Sequence, residues 1–192
     1  FDRAAAAQFG IGFAPRGWDN LTGFLKGRGF SIDELVAAGL ASQSDKGGYD
    51  KFRGRVIWPI RDQTAAVIGF GARQLFEDDN GPKYLNSSDT PVYHKSQVLY
   101  GIDLARKDIT KKRQVVVVEG YTDVMACHLA GVDTAVATCG TSFTDEHVTV
   151  INRLLGNDGT GEVIFCFDPD EAGQKAAMRA WEQSSRFTAQ TF

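Results

Sequence analysis

The sequence predicts an α/β protein: a parallel sheet flanked by helices, preceded by a smaller mixed α+β subdomain. Three observations carry that expectation. Residues 115–118, four consecutive valines, and residues 163–167 are apolar at every position, as in strands buried on both faces of a parallel sheet. From Gln114 onward strand-like and helix-like segments alternate, which implies right-handed crossovers. Ahead of that point, short helical segments separated by glycines lead into two adjacent strand patterns, the habit of a separate α+β unit.

The first 50 residues read as three small helices, 4–9, roughly 19–26, and 31–38. The third is the best specified, because Ser31 with Glu34 has capping-box spacing and Gly39 follows as a stop signal. Residues 56–60 and 66–70 read as strands joined by a polar turn around 62–64. Side chains alternate across a strand, so Arg53, Arg55 and Arg61 are expected on one face, and Phe52, Val56, Trp58 and Ile60 on the other. That pattern predicts one apolar and one basic face. Residues 77–97 read as irregular, with loop residues and many hydrogen-bonding side chains. Beyond a boundary placed near 111–113, the expected elements are a strand to Glu119, a helix 123–130, a strand 134–138, a helix 145–155, a strand 162–167 and a helix 171–186. The closing Thr188-Ala189-Gln190-Thr191-Phe192 reads as the opening of another strand, and the chain as an internal fragment of a longer one.

At 192 residues and 43% hydrophobic content the chain can bury a core without a cofactor staple. No signal-peptide pattern and no run of about 18 apolar residues is present, so a soluble, cytoplasmic protein without a membrane partner is expected. Cys127, Cys139 and Cys166 lie in apolar surroundings without CxxC spacing, and are expected to be buried thiols rather than zinc ligands or disulfides. The net charge of −3 conceals an asymmetry. Residues 51–113 carry 12 basic against 7 acidic groups, whereas residues 114–192 carry 4 against 11. A basic segment beside an acidic one suits a polyanion held against metal-binding carboxylates.

The acidic residues sit where chemistry is placed in such a sheet, beyond the carboxyl ends of the strands. Asp168 and Asp170 follow one buried run, with Pro169 between them disfavouring an α conformation at Asp168. Two close carboxylates stay ionised most simply around a divalent cation, and magnesium suits carboxylate, water and phosphate oxygens. The competing reading makes Asp170 a helix N-cap. Glu119 ends a separate strand, where a lone buried carboxylate is costly, and is followed by Gly120. Metal ligation or general-base chemistry is its functional reading, and a hydrogen bond to a helix terminus the plain one. Asp123 is either a helix cap or an acid supporting the site. Cys139-Gly140-Thr141 offers a glycine turn with a hydroxyl.

These residues resemble a known family. Glu119-Gly120-Tyr121-Thr122-Asp123, Gly140-Thr141 and Asp168-Pro169-Asp170-Glu171-Ala172-Gly173 are similar to the acidic motifs of the TOPRIM fold, shared by topoisomerases, primases and some nucleases. Upstream, the segment from Tyr49 to Ile60, Gly69-Phe70-Gly71-Ala72-Arg73, Pro82-Lys83-Tyr84-Leu85-Asn86-Ser87, His94-Lys95 and Leu99-Tyr100-Gly101 resemble the RNA polymerase core of bacterial DnaG-type replicative primases. The resemblance covers essentially the whole chain. It implies a core subdomain over 1–112 and a truncated TOPRIM domain over 113–192. It further implies synthesis of short RNA primers on single-stranded DNA from nucleoside triphosphates at a Mg2+ or Mn2+ site. Glu119, Asp168 and Asp170 would be catalytic and metal-binding, with Asp123 among the metal-site acids. Arg53, Arg55, Arg73, Lys83, Tyr84, Asn86 and Lys95 would bind nucleotide or DNA. The family's preceding zinc module, its following helicase-binding module and further acidic metal ligands lie outside this sequence, so no zinc site is expected. The sequence departs from the family at Pro169 and Ala72, where glycine is usual. A topoisomerase or nuclease of the same fold, or a nucleic-acid-binding module with an inert site, are the competing functions.

Overall fold

The computed structural model describes residues 1–45, 47–170, 173–175 and 178, together with the backbone pairing of 188–191. They form two compact units, Phe1–Ile60 with Val67–His94, and Arg61–Ala66 with Lys95–Phe192.

The first unit contains α1 (Arg3–Gln8), β1 (Gly12–Ala14), α2 (Asn20–Lys26), α3 (Ile32–Ala37), β2 (Ala41–Ser44) and β3 (Gly47–Asp50), then most of β4 (Arg55–Arg61), β5 (Val67–Gln74) and β6 (Tyr84–Asn86). One sheet runs β1-β4-β5-β6, and β2 and β3 form an antiparallel pair. The three expected helices are present. Ser31 Oγ accepts the Glu34 N–H, and the Glu34 carboxylate accepts the Ser31 N–H, so the capping box closes at α3. At α2 the adjacent Asp19 makes no capping bond. The buried Asp50 does so from a distant strand, its carboxylate oxygens accepting the Leu21 and Thr22 N–H groups at 2.7 and 2.8 Å.

Two expectations are corrected here. Arg53 does not share a strand face with Arg55 and Arg61, because β4 begins only at Arg55 and Gly54 before it has φ 62°. That conformation breaks the two-residue alternation on which the expectation rested. Arg55 is buried, as are the consecutive residues Trp58, Pro59 and Ile60, so β4 is a covered central strand and not a half-basic ribbon. The segment 77–97 is not wholly irregular either. Tyr84–Asn86 pairs antiparallel with β5, Tyr84 opposite Arg73 and Asn86 opposite Gly71.

The second unit opens with a 3-10 turn (Lys95–Gln97) and continues through α4 (Ile102–Lys112), β7 (Gln114–Val118), α5 (Tyr121–Leu129), β8 (Ala135–Ala137), α6 (Asp145–Leu154), β9 (Glu162–Phe165) and β10 (Thr188–Thr191). Its sheet runs β10-β9-β7-β8, parallel throughout. The helix expected over 171–186 lies mostly outside the described residues; 173–175 and 178 are helical. Val115 and Val117 join Val163 and Phe165 of β9, with Ile102, Ala105 and Ile109 of α4 and Val148 and Ile151 of α6, in one core cluster. Fully burying each such aliphatic side chain contributes about 1.5–3 kcal/mol. Helix α5 packs against β8 with Val124 and Met125 buried. Helix α4 itself was not anticipated, since its N-cap is Gly101 without a side-chain cap and six of its eleven residues are charged.

The thiols also differ from expectation. Cys139 is buried, Cys127 half-buried and Cys166 exposed, all three free. Strand β9 ends at Phe165, and Cys166 beyond it, though its N–H still donates to the Val117 carbonyl oxygen of β7 at 2.9 Å, is exposed.

His147 sets a pH dependence. Its buried ring accepts the Thr144 N–H at Nδ1 and faces the Val98 carbonyl oxygen through Nε2, both at 3.2 Å. Burial lowers its pKa below the ordinary 6.5, so the folded state binds fewer protons than the unfolded one just below that pH. Stability from this group is therefore complete above about pH 6.5 and is lost as pH falls toward the lowered folded value. Denaturant midpoints should drop between pH 7 and 5, and the drop should be smaller in His147→Gln; equal profiles would remove His147 as the cause.

Candidate active site

Glu119 is the first residue beyond β7, and neighbouring strand ends tie it down. Its backbone carbonyl accepts the Cys139 N–H at 3.2 Å, from just beyond β8. Its carboxylate Oε1 accepts the Asp168 N–H at 2.8 Å, from just beyond β9. The contact is close on its far side as well: a Cβ at Gly173 would overlap the Asp168 carbonyl oxygen and stand 3.0 Å from Glu119 Oε1. Glycine at 173 lets the following helical turn approach both groups.

The structure thus brings Glu119 and Asp168 together. Asp170 and Asp123 each give one carboxylate oxygen to a neighbouring glycine. Asp170 Oδ1 accepts the Gly173 N–H at 2.7 Å, and Asp123 Oδ2 accepts the Gly120 N–H at 2.9 Å, closing the start of α5. Both are helix caps in this arrangement, the plainer of the two readings each had in the sequence. Thr141 Oγ1 donates to the Thr138 carbonyl oxygen at 2.9 Å, which holds the 138–141 turn. Beside it Cys139 is raised in pKa by burial, against a hydrogen bond from Tyr121 that lowers it.

A divalent ion fits this donor set by chemistry. Carboxylate oxygen is the hard ligand that Mg2+ and Mn2+ take, and Mg2+ commonly uses only one or two carboxylates beside water and phosphate oxygens. Glu119 and Asp168 supply two carboxylates at neighbouring strand ends, joined through the Asp168 backbone N–H. Among the described residues no three His, Cys, Asp or Glu side chains close around a common point.

The first unit carries a cleft of about 490 Å³, lined by Arg16, Trp18, Lys51, Arg53, Arg55 and Leu85 and by the turn at 78–82. The Arg53 guanidinium lies 4.1 Å from the Trp18 ring centroid and 5.3 Å from that of Tyr49. It donates to the Asp50 carbonyl oxygen, and the Asp50 N–H donates to the Trp18 carbonyl oxygen at 2.7 Å. One buried aspartate therefore organises the start of α2, the tryptophan and the arginine. Trp18 is 63% exposed.

Arg55 lines the cleft differently. Its side chain is 4% exposed, with Nη2 2.6 Å from Asp79 Oδ2 and Nη1 donating to the Pro82 carbonyl oxygen at 2.7 Å. The Asp79 contact is made by charge rather than by a well-aligned hydrogen bond. Of the other expected binding residues, Arg73 lies with its guanidinium 5.9 Å from the Tyr84 ring centroid. Lys83 is exposed, Asn86 half-buried in β6, and Lys95 opens the second unit. Sequence reasoning missed Arg16, Trp18 and Lys51. The signal was there in Arg16-Gly17-Trp18-Asp19-Asn20, a tryptophan in a run of turn residues, where a packing role is the less natural one.

Residues 1–106 match the family described as DNA primase catalytic core, N-terminal domain. The chain belongs to the DNA primase family. Residues 113–190 match the Toprim domain. The DNA primase of Streptomyces coelicolor is 61% identical over the whole chain, which spans 30% of that relative's length. The RNA polymerase domain of Mycobacterium tuberculosis primase DnaG superposes with a TM-score of 0.92 at 51% identity, covering 100% of this chain and 64% of that one. A DnaG primase catalytic domain bound to ssDNA superposes at 0.85 with 40% identity, covering 100% and 59%.

Replacing Arg55 by alanine would leave the Asp79 carboxylate without its partner beside a buried void. Breaking such a pair is expected to cost on the order of 3 kcal/mol, read as a lower urea midpoint. A change below about 1 kcal/mol would show that the pair is not structural.

Proposed function

We propose that this chain is the catalytic part of an enzyme that makes short RNA primers for DNA replication by nucleotidyl transfer. Single-stranded DNA is its template and nucleoside triphosphates are its substrates. The observation that carries the reading is the junction of Glu119 with Asp168 at the carboxyl ends of two parallel strands, in a chain of the primase family. The DNA bound to the related catalytic domain supports the template assignment. The enzyme's work would be cytoplasmic, with a helicase engaged through a module beyond this sequence.

In the proposed reaction a 3′-hydroxyl oxygen bonds to the α-phosphorus of the incoming nucleotide and the bond to pyrophosphate breaks. Glu119 and Asp168 would hold a Mg2+ or Mn2+ ion, which supplies charge neutralisation to phosphate oxygens. Asp170 and Asp123 would stand behind them by shaping the two helix starts. Glu119 keeps its carboxylate aimed because Asp168 and Cys139 hold it at both ends. Arg53, stacked on Trp18, would take a template phosphate while Trp18 presents its exposed face to a base. Arg73, Lys83, Tyr84, Asn86 and Lys95 would serve the nucleotide and the strand beside it, and Arg55 would support the cleft from within.

Glu119→Gln keeps an oxygen to accept the Asp168 N–H and removes only the charge. Primer synthesis on single-stranded DNA with labelled nucleotides should fall at least about 100-fold, with DNA affinity within about twofold; retained synthesis would take Glu119 out of the chemistry. Arg53→Ala should weaken oligonucleotide binding and reduce the salt slope by about one. An unchanged slope would leave Arg53 as a solvated charge.

A further inference from the structure

The turn after β5 is the most acidic stretch of the first unit's cleft, and it points its charge at the cleft's own arginines. It reads Phe76-Glu77-Asp78-Asp79-Asn80-Gly81. Asp78 is ion-paired with Arg16, and Asp79 with Arg55. Asp79 is fixed in turn: its Oδ1 accepts the Gly81 N–H at 2.8 Å and its carbonyl oxygen accepts from Gln74 Nε2. Arg16 is held on its flat face as well, 4.6 Å from the Phe76 ring centroid. Apart from Glu77 and Gln74, these groups border one cleft.

The two pairs differ in the property that decides whether they can exchange. Arg16 and Asp78 are 57% and 63% exposed, whereas Arg55 is 4% exposed. An exposed pair is worth little, because water and salt compete with it at almost no cost. Releasing a buried arginine from its partner leaves an uncompensated charge, so that pair stays closed. Both carboxylates occupy guanidinium groups of the kind that phosphates take in the same forked geometry.

We propose that the acidic turn is an internal counter-ion for the nucleic-acid cleft: Asp78 occupies Arg16 until a phosphate of an incoming strand replaces it, and Asp79 keeps Arg55 permanently as part of the wall. The inference rests on the reading of the cleft as the template site. It makes Asp78 an affinity-determining residue. A ligand with few phosphates does not displace the carboxylate, and a continuous strand does. Arg16 becomes a binding residue only in the complex, while Arg53 and Trp18 present themselves to the ligand from the start.

The test is a double-mutant cycle on Asp78 and Arg16, read by fluorescence anisotropy of a labelled oligothymidylate at several salt concentrations. Asp78→Asn should bind about two- to fivefold more tightly than the parent, the scale set by an exposed ion pair. In the Arg16→Ala background the same substitution should change affinity by less than about 1.5-fold. Asp79→Asn should instead lower both affinity and thermal stability, because it strips the buried Arg55 of its partner. A gain from Asp78→Asn that persists undiminished without Arg16 would overturn the proposal in favour of general charge repulsion. So would no gain, or a loss, in a folded Asp78→Asn protein. Should the parent bind the oligonucleotide and lose it on Arg53→Ala while Asp78→Asn has no effect, only this inference falls. Should the parent not bind at all, the cleft reading falls and takes the inference with it.

Discussion

Strand β7 is the constraint on which the second unit depends. It is hydrogen-bonded to β8 on one side and β9 on the other, and all four of its valines are buried. A strand in that position cannot slip by one residue without turning its side chains from one covered face to the other. Whatever follows Val118 is therefore delivered to a fixed point. Glu119 follows, and the neighbouring strand ends close on it through the Cys139 and Asp168 N–H groups. The hydrophobic burial of the valines and the placement of the carboxylate are one physical fact seen from two sides.

The first unit solves a different problem, that of arranging cations around an open cleft without letting them repel or drift. Each guanidinium there has a partner of its own kind. Arg53 rests on aromatic rings and a carbonyl oxygen, Arg55 is locked to a buried acid, and Arg16 meets an exposed one. Desolvation ranks these contacts. A paired buried arginine behaves as part of the core, while an exposed one remains available, so residues of one chemical type divide into wall and binding surface.

The sheet of the second unit was readable because its signal is composition: runs such as 115–118 are short, β-branched and without a polar position, as strands covered on both faces are. Its connecting helices were readable from period and caps. The features that escaped notice lacked either signal. Helix α4 has an apolar stripe of Ile102, Ala105 and Ile109 diluted by charge, and acquires its meaning only against the sheet. The two-faced reading of β4 failed on burial, because Arg55 and the consecutive Trp58, Pro59 and Ile60 are all covered, while Gly54 with its positive φ separates Arg53 from the strand. Among the site residues, Glu119 and Asp168 were legible from their place after apolar runs. Trp18 carried only the weaker signal of a tryptophan among turn residues, and which groups an exposed loop faces is set by the fold.

By itself the sequence determined the α/β class, the positions of the acidic residues at strand ends and the family to which the chain belongs, since each follows from local pattern or quoted motifs. Only the tertiary structure decided which carboxylate ties two strand ends together and which cap helices, and which arginines face the cleft and which are buried against a partner. The physical reason is that a carboxylate or guanidinium group carries its charge in the sequence but not its solvation. Counter-ion and hydrogen-bond partners arrive from 24 to 49 positions away along the chain, as Asp79 does for Arg55, Thr22 for Asp50 and Asp168 for Glu119.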